Sequence, residues 1–234
     1  MAETIFTFQR YEMKFILNQG DFDYLLPIIE KHMSPDAFPR YKIRSWYYDT
    51  PTHQVRYENL QKPIWKCKLR YRIYADAENS PRFLELKSKY DGLTYKRRIK
   101  VSSLESALDE ARNGTSQIAK EIAYFEKTHP GLAPDLVITY DRIAFHDDAT
   151  DVRLTIDKDA FAGVVPLLDE GQYIMEVKVP LAVPKWLLEA LENRSLYRRS
   201  FSKFSTGSHV SSAMMDAAEM NLMILNRLKS QGFN

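Results

Sequence analysis

The sequence predicts an α+β protein organised on an antiparallel sheet, and three observations predict it. Arg82 to Val101 reads as two strands around an Asp91-Gly92 turn signal, with both flanks alternating in character. At least six segments place Arg, Lys and Glu on one face and aliphatic or aromatic residues on the other, the period-two signature of a strand. About five helical segments punctuate these strands, enough to cover one apolar sheet face.

The first strand runs from Ile5 to Leu17, with Arg10, Glu12 and Lys14 opposite Tyr11, Met13, Phe15 and Leu17. Asp21 to Met33 has helical spacing (Phe22, Leu25, Leu26, Ile29, Met33), with Asp21 as the expected cap and Pro35 and Pro39 as its end. Tyr41 to Tyr48 is the second strand, and His53 to Gln61 a short helix or turn. Ile64 to Tyr74 is the clearest strand, with Lys66, Lys68, Arg70 and Arg72 on one face. Four cations in a row repel one another, so the pattern needs anions or water to compensate. After the Arg82 to Val101 hairpin, Ser102 or Ser103 caps a helix through Arg112, and Thr115 or Ser116 starts another through Lys127. Strands follow at Leu136 to Phe145, Val152 to Asp157 and Gln172 to Val179. Trp186 to Asn193 is a short helix, Tyr197 to Ser205 a basic, aromatic segment, and Ser211 to Leu228 a Met-rich amphipathic helix.

Composition narrows the class. At 234 residues and 44% hydrophobic, with 14 Tyr and 12 Phe, the chain buries a sizeable core and is not disordered. Net charge is only +2, yet Ile64 to Lys100 holds eleven Lys or Arg against four Asp or Glu, which favours an anionic partner. A single Cys67 excludes an internal disulfide framework, and no Cys/His spacing suggests zinc. No signal peptide is evident, and no apolar run approaches the ~20 residues of a membrane span. A cytoplasmic location without membrane contact is expected. Nucleic acid is not expected as a partner, because the basic strands lack an evident stacking aromatic series.

Alternation alone allows two closures of such a sheet. Apolar faces fill the centre and charges meet water, or helices cover the apolar faces and the charges line a lumen. The second requires mixed-sign charges, because unpaired buried ions are costly. The mixture is present in Glu12 between Arg10 and Lys14, Glu85 beside Lys87, and Glu176 beside Lys178.

Nine short motifs stand in order along nearly the whole chain. They are Arg10-Tyr11-Glu12-Met13-Lys14-Phe15, Tyr47-Tyr48-Asp49-Thr50, Lys68-Leu69-Arg70-Tyr71-Arg72, Leu84-Glu85-Leu86-Lys87 and Tyr95-Lys96-Arg97-Arg98 in the first half. Tyr140-Asp141-Arg142, Arg153-Leu154-Thr155-Ile156-Asp157, Met175-Glu176-Val177-Lys178 and Ser202-Lys203-Phe204-Ser205 follow. Together they resemble the VTC domain, the polyphosphate polymerase domain of the triphosphate tunnel metalloenzyme superfamily, in its compact bacterial type. The first motif departs from the Glu-x-Glu-x-Lys of the adenylate cyclase and thiamine triphosphatase branch, since Arg10 stands at its first position.

The resemblance implies a single domain over residues 1–234. It would be an antiparallel, tunnel-like β-barrel of eight strands with a charged interior and helices packed outside, the 211–228 helix among them. It implies a phosphotransferase that moves the terminal phosphate of ATP onto inorganic polyphosphate in the tunnel, with Mn²⁺ or Mg²⁺ as cofactor. Lys14, Arg70, Arg72, Lys87, Arg142, Arg153 and Lys203 form the expected catalytic set, with Lys203 at the tunnel mouth. Arg10, Lys96, Arg98 and Lys178 continue the phosphate-binding lining. Glu176 is the expected metal ligand, assisted by Glu12 and Glu85, with Asp157 a further acid of this kind. Two other functions share the scaffold: a hydrolase of triphosphate or polyphosphate, and a non-catalytic polyphosphate binder.

Overall fold

The computed structural model describes residues 11–61, 64–74, 80–90, 93–214 and 216. The elements in chain order are β1 (Tyr11–Leu17), α1 (Gln19–His32), β2 (Ser34–Asp49), α2 (Gln54–Leu60), β3 (Trp65–Tyr74), β4 (Arg82–Tyr90), β5 (Leu93–Lys100), α3 (Ala107–Arg112) and α4 (Gln117–Thr128). Then follow β6 (Ala133–Asp147), β7 (Val152–Ala162), β8 (Val165–Pro166), β9 (Tyr173–Val179) and α5 (Lys185–Asn193). A last helical segment spans 203–214. Arg10 and most of the expected 211–228 helix lie outside the described residues.

All strand pairs among the described residues are antiparallel and form one sheet in the order β1-β9-β7-β6-β2-β3-β4-β5, with the two-residue β8 added to β7. The expected closed barrel of eight strands is thereby corrected. The sheet has nine strands, and its terminal members β1 and β5 do not pair with each other among the described residues.

The sheet is nonetheless deeply curved. β1 and β4 are six steps apart in the strand order, about 29 Å in a flat sheet at ~4.8 Å per step. Across that distance water and salt would leave no interaction between charges. Yet the ammonium of Lys87 on β4 helps hold the Glu12 carboxyl of β1 ionised, and Glu12 and Glu176 act in return on Lys87. The charged faces therefore look toward one another across a trough.

Helices cover the convex side. Phe15, Leu154, Ile156, Met175 and Val177 pack on Leu25 and Ile29 of α1 and Leu187 of α5. Leu69, Tyr71, Leu84 and Leu86 pack on Val55 of α2, Ala107 of α3, and Ile118 and Ile122 of α4. The α1 cap is Asn18 rather than Asp21. Asn18 Oδ1 accepts from the Asp21 N–H (2.9 Å) and Asp21 Oδ2 accepts from the Asn18 N–H (3.2 Å), a capping box with Asp21 at its third position. Ser106, not Ser102 or Ser103, precedes α3, and Ser116 caps α4 as expected.

The 203–214 segment begins earlier than the sequence suggests and sits on the concave side. The Arg199 N–H donates to the Lys14 carbonyl on β1 (2.7 Å), and the Phe204 ring packs at a tilt on Tyr47 of β2 (4.9 Å between centroids). Residues 199–204 thus cross from one limb of the trough to the other. Phe204 joins Ile43, Ile138, Ala160 and Ala162 in an apolar cluster that stoppers the trough where β2 and β7 finish and β6 begins. A side chain at Gly207 would place its Cβ 3.1 Å from that of Ala162. Gly207→Leu should therefore lower stability by about 1–3 kcal/mol in urea denaturation. An unchanged midpoint would mean that this helix is not seated on the sheet.

Candidate active site

The site is the concave face, and strand register composes it row by row. One row reads Tyr47-Arg70-Glu85-Arg98 across β2, β3, β4 and β5. The next reads Lys68-Lys87-Lys96 across β3, β4 and β5, with no carboxylate in it. On the opposite limb Arg142-Asp157 spans β6 and β7, Thr155-Glu176-Lys14 spans β7, β9 and β1, and Arg153-Lys178-Glu12 lies beside it.

Glu85 is the charge hub of the first limb. It is fully buried, and its Oε2 accepts from Arg70 Nε (2.8 Å) while Arg70 Nη2 stands 2.7 Å away. Lys96 reaches Oε1 at 2.9 Å, and Arg72 stands 3.9 Å from Oε2. Burial pushes this carboxyl up, but Arg70, Lys96 and Arg72 outweigh it and hold the group well below the usual carboxylate range. Arg72 also donates to Ser45 Oγ (3.0 Å) and the Tyr140 hydroxyl (3.3 Å). Arg98 lies over the Phe83 ring at 4.3 Å.

Asp157 plays the same part on the other limb. Arg142 grips it bidentately (2.6 and 2.8 Å), and Lys203 donates to it from the 203–214 helix (2.5 Å). Lys203 is thus a helical residue whose ammonium reaches Asp157 on the concave face.

Glu12 and Glu176 form a third arrangement. Lys14 lies 3.0 Å from Glu12 and 4.0 Å from Glu176, so two carboxylates share one ammonium. Lys178 pairs with Glu176 at 2.7 Å. Burial and the charge of Glu176 push Glu12 up, while Lys14, Lys87 and Lys178 more than offset them. Burial also opposes ionisation of Glu176, which Lys178, Arg142 and Lys14 hold well below the usual range. Two ionised carboxylates meeting on one face suit a hard divalent cation. Glu85 stands apart from this pair, with both oxygens engaged by Arg70, Lys96 and Tyr74.

Arg153 is half-exposed at the charged end of the trough, 3.8 Å from Asp36. Among the lining residues that the sequence reading did not single out are Tyr47 and Lys68. Arg70 donates to the Tyr47 hydroxyl (2.9 Å), and Lys68 lies 4.0 Å above the Phe204 ring. Burial pushes the Tyr47 phenol up, but Arg70, Arg72 and Lys68 bring it down to about 8. Burial, followed by repulsion from Lys87, Lys66 and Arg70, brings the Lys68 ammonium down to about 8 against the pull of Tyr47. The strand alternation that aligned Lys68 with Arg70 and Arg72 was the available signal for it.

A separate group, Asp49, His53 and Asp135, brings its donor atoms within 4.8 Å of one another. Its oxygens are already committed: Asp49 accepts from the Thr50, Val55 and Arg56 N–H groups, and Asp135 from the Arg56 guanidinium. This group secures the start of α2.

The site is therefore an antiparallel sheet curved around a mixed but predominantly basic face. The VTC domain family profile matches residues 9–212, and the chain belongs to that family. Among solved structures, a putative adenylyl cyclase from Hippeastrum, described as having a dominant triphosphatase activity, is 15% identical, with 85% of this chain and 95% of that chain covered and a TM-score of 0.56. A putative adenylate cyclase from Bacillus halodurans is 14% identical, covering 83% of this chain and 94% of that one at a TM-score of 0.54. Another from Vibrio parahaemolyticus is 15% identical, covering 84% and 96% at 0.51. These similarities concern the fold. No curated protein matches the chain. No helix among the described residues is long and apolar enough to cross a membrane.

Removing the charge of Glu85 should expose how the first limb is balanced. Glu85→Gln leaves Arg70, Arg72 and Lys96 facing one another, and stability should fall by about 3–5 kcal/mol in urea denaturation. Added tripolyphosphate should raise the midpoint more in this variant than in the wild type. An unaltered midpoint would show that these cations do not depend on Glu85.

Proposed function

We propose that this protein is a metal-dependent phosphotransferase that moves the terminal phosphate of ATP onto a growing polyphosphate chain held in the trough, the chain working as one domain. The observation that carries this reading is the Lys68-Lys87-Lys96 row. Like charges directly opposite one another destabilise a sheet, so such a row calls for a polyanion. Family membership supports the substrate class.

Arg70, Arg72, Lys87 and Lys96 hold phosphate oxygens from one limb, and Lys14, Arg142 and Lys178 from the other. Arg98 and Arg153 extend the lining toward solvent, and Lys203 orients Asp157 and Arg142; Arg10 is proposed for the same set on the family resemblance alone. Glu12 and Glu176 are the carboxylates that would hold Mn²⁺ or Mg²⁺, and Glu85 serves as a charge balancer. The divalent ion, when bound, neutralises charge on the phosphoryl oxygens. An ionised oxygen of the polyphosphate end attacks the γ-phosphorus, the bond to the β-phosphate bridging oxygen breaks, and ADP leaves. The attacking oxygen is already anionic, so no general base is required.

Incubation with ATP and Mn²⁺, followed by gel and ³¹P NMR, tests the reading: long phosphate chains and ADP are expected. Orthophosphate and ADP without chains would replace it with the hydrolase, and tight polyphosphate binding without turnover with a binding module. Arg70→Ala with Arg72→Ala should weaken tripolyphosphate binding at least about 100-fold, two charge-assisted contacts being lost. Full metal-dependent activity in Glu176→Gln would remove that residue from the metal site.

Binding should also fall as pH rises through about 8, where Lys68 loses its charge and Tyr47 gains one. Both changes disfavour a polyanion. The Tyr47→Phe, Lys68→Met double variant should flatten this part of the profile relative to wild type, a comparison that cancels ionisation of the ligand. Parallel profiles would exclude these two groups.

A further inference from the structure

Thr155 lies on β7 with Glu176 of β9 on one side and Ala144 of β6 on the other. Its Oγ1 is buried and has no hydrogen-bond partner. A buried hydroxyl without a partner is a standing cost, and in a native fold such a group asks for a reason. The reason is visible beside it. A cavity of about 130 Å³ is lined by Thr155 with Tyr41, Arg142, Arg153, Glu176 and Lys178. At about 30 Å³ of liquid volume per water, it has room for several waters or one tetrahedral oxyanion. Arg142, Arg153 and Lys178 supply positive charge, against the carboxylates of Glu176 and Asp36 at its rim.

We propose that Thr155 is a substrate-binding residue whose hydroxyl donates to a non-bridging oxygen of a phosphoryl group seated in this cavity. The inference rests on the reading of the trough as an oligophosphate site. Lysine offers a movable point charge, whereas a β-branched hydroxyl fixed on a strand offers a donor of set position. A phosphoryl group held there sits next to Glu176 in the Thr155-Glu176-Lys14 row, which registers it against the candidate metal carboxylate.

The test is calorimetric titration with tripolyphosphate in EDTA, on the wild type, Thr155→Val and Thr155→Ser. Valine keeps the shape and removes the donor. Its binding should weaken about ten- to a hundred-fold, the range for a hydrogen bond to a charged group, while serine keeps the wild-type affinity. The ligand-free Val variant should melt no lower than the wild type, since an unpartnered buried hydroxyl has been removed. Unchanged binding by the Val variant overturns the proposal, as does equal weakening in Val and Ser, which would signal packing. Weaker Mn²⁺ binding without phosphate, measured by electron paramagnetic resonance, together with unchanged tripolyphosphate binding, would assign the hydroxyl to the metal and also overturn it. If the wild type itself fails to bind tripolyphosphate, the reading of the trough falls first, and the two failures are thereby told apart.

Discussion

Repulsion among cations on the concave face is the constraint on which the structure depends. Lys68, Lys87 and Lys96 stand directly opposite one another across β3, β4 and β5. The adjacent row compensates, because Glu85 sits between Arg70 and Arg98 and draws in Lys96 diagonally. Asp157 does the same for Arg142 and Lys203, and Glu176 for Lys14 and Lys178. Each carboxylate is buried or nearly so and serves at least two cations. The balance keeps the limbs apposed while leaving net positive charge toward the trough, the arrangement that focuses a field on a polyanion.

Such a face is sustainable because folding energy comes from elsewhere. The convex side carries two cores, one under α1 and α5 and the other under α2, α3 and α4. Residues 199–204 then tie β1 to the β2 and β3 side, through the Lys14 carbonyl, the Lys14 ammonium on the Phe201 carbonyl, and Phe204 on Tyr47. One backbone hydrogen bond, one ammonium–carbonyl hydrogen bond and one aromatic contact thus bridge β1 to β2 across the trough.

Much of this was legible in the sequence. Period-two alternation located the principal strands, because a strand's side chains leave opposite faces whatever the sheet does next. The direction of curvature was not legible from it, since charges turned inward and charges turned outward give the same alternation. Ordered motifs supplied that direction. Pairing within the charged face was also hidden: Glu85, Glu12 and Glu176 share a pattern, but only register shows that two converge while the third is enclosed by Arg70, Lys96 and Arg72. Asn18 and Asp21 are both good caps, and only backbone geometry decides between them. Lys203 stands in a basic, aromatic stretch with no apolar period, so nothing in the sequence marks the start of its helix. The grouping of Asp49, His53 and Asp135 joins residues too far apart in the chain for spacing to reveal.

The central claim is that the inward-facing cations hold an oligophosphate between the two limbs. The most direct measurement is a crystal structure with tripolyphosphate bound. The account predicts phosphate oxygens within hydrogen-bond reach of Arg70, Arg72 and Lys87 on one side and of Lys14 on the other. Tripolyphosphate bound on the convex surface, with the trough filled only by water, would contradict it.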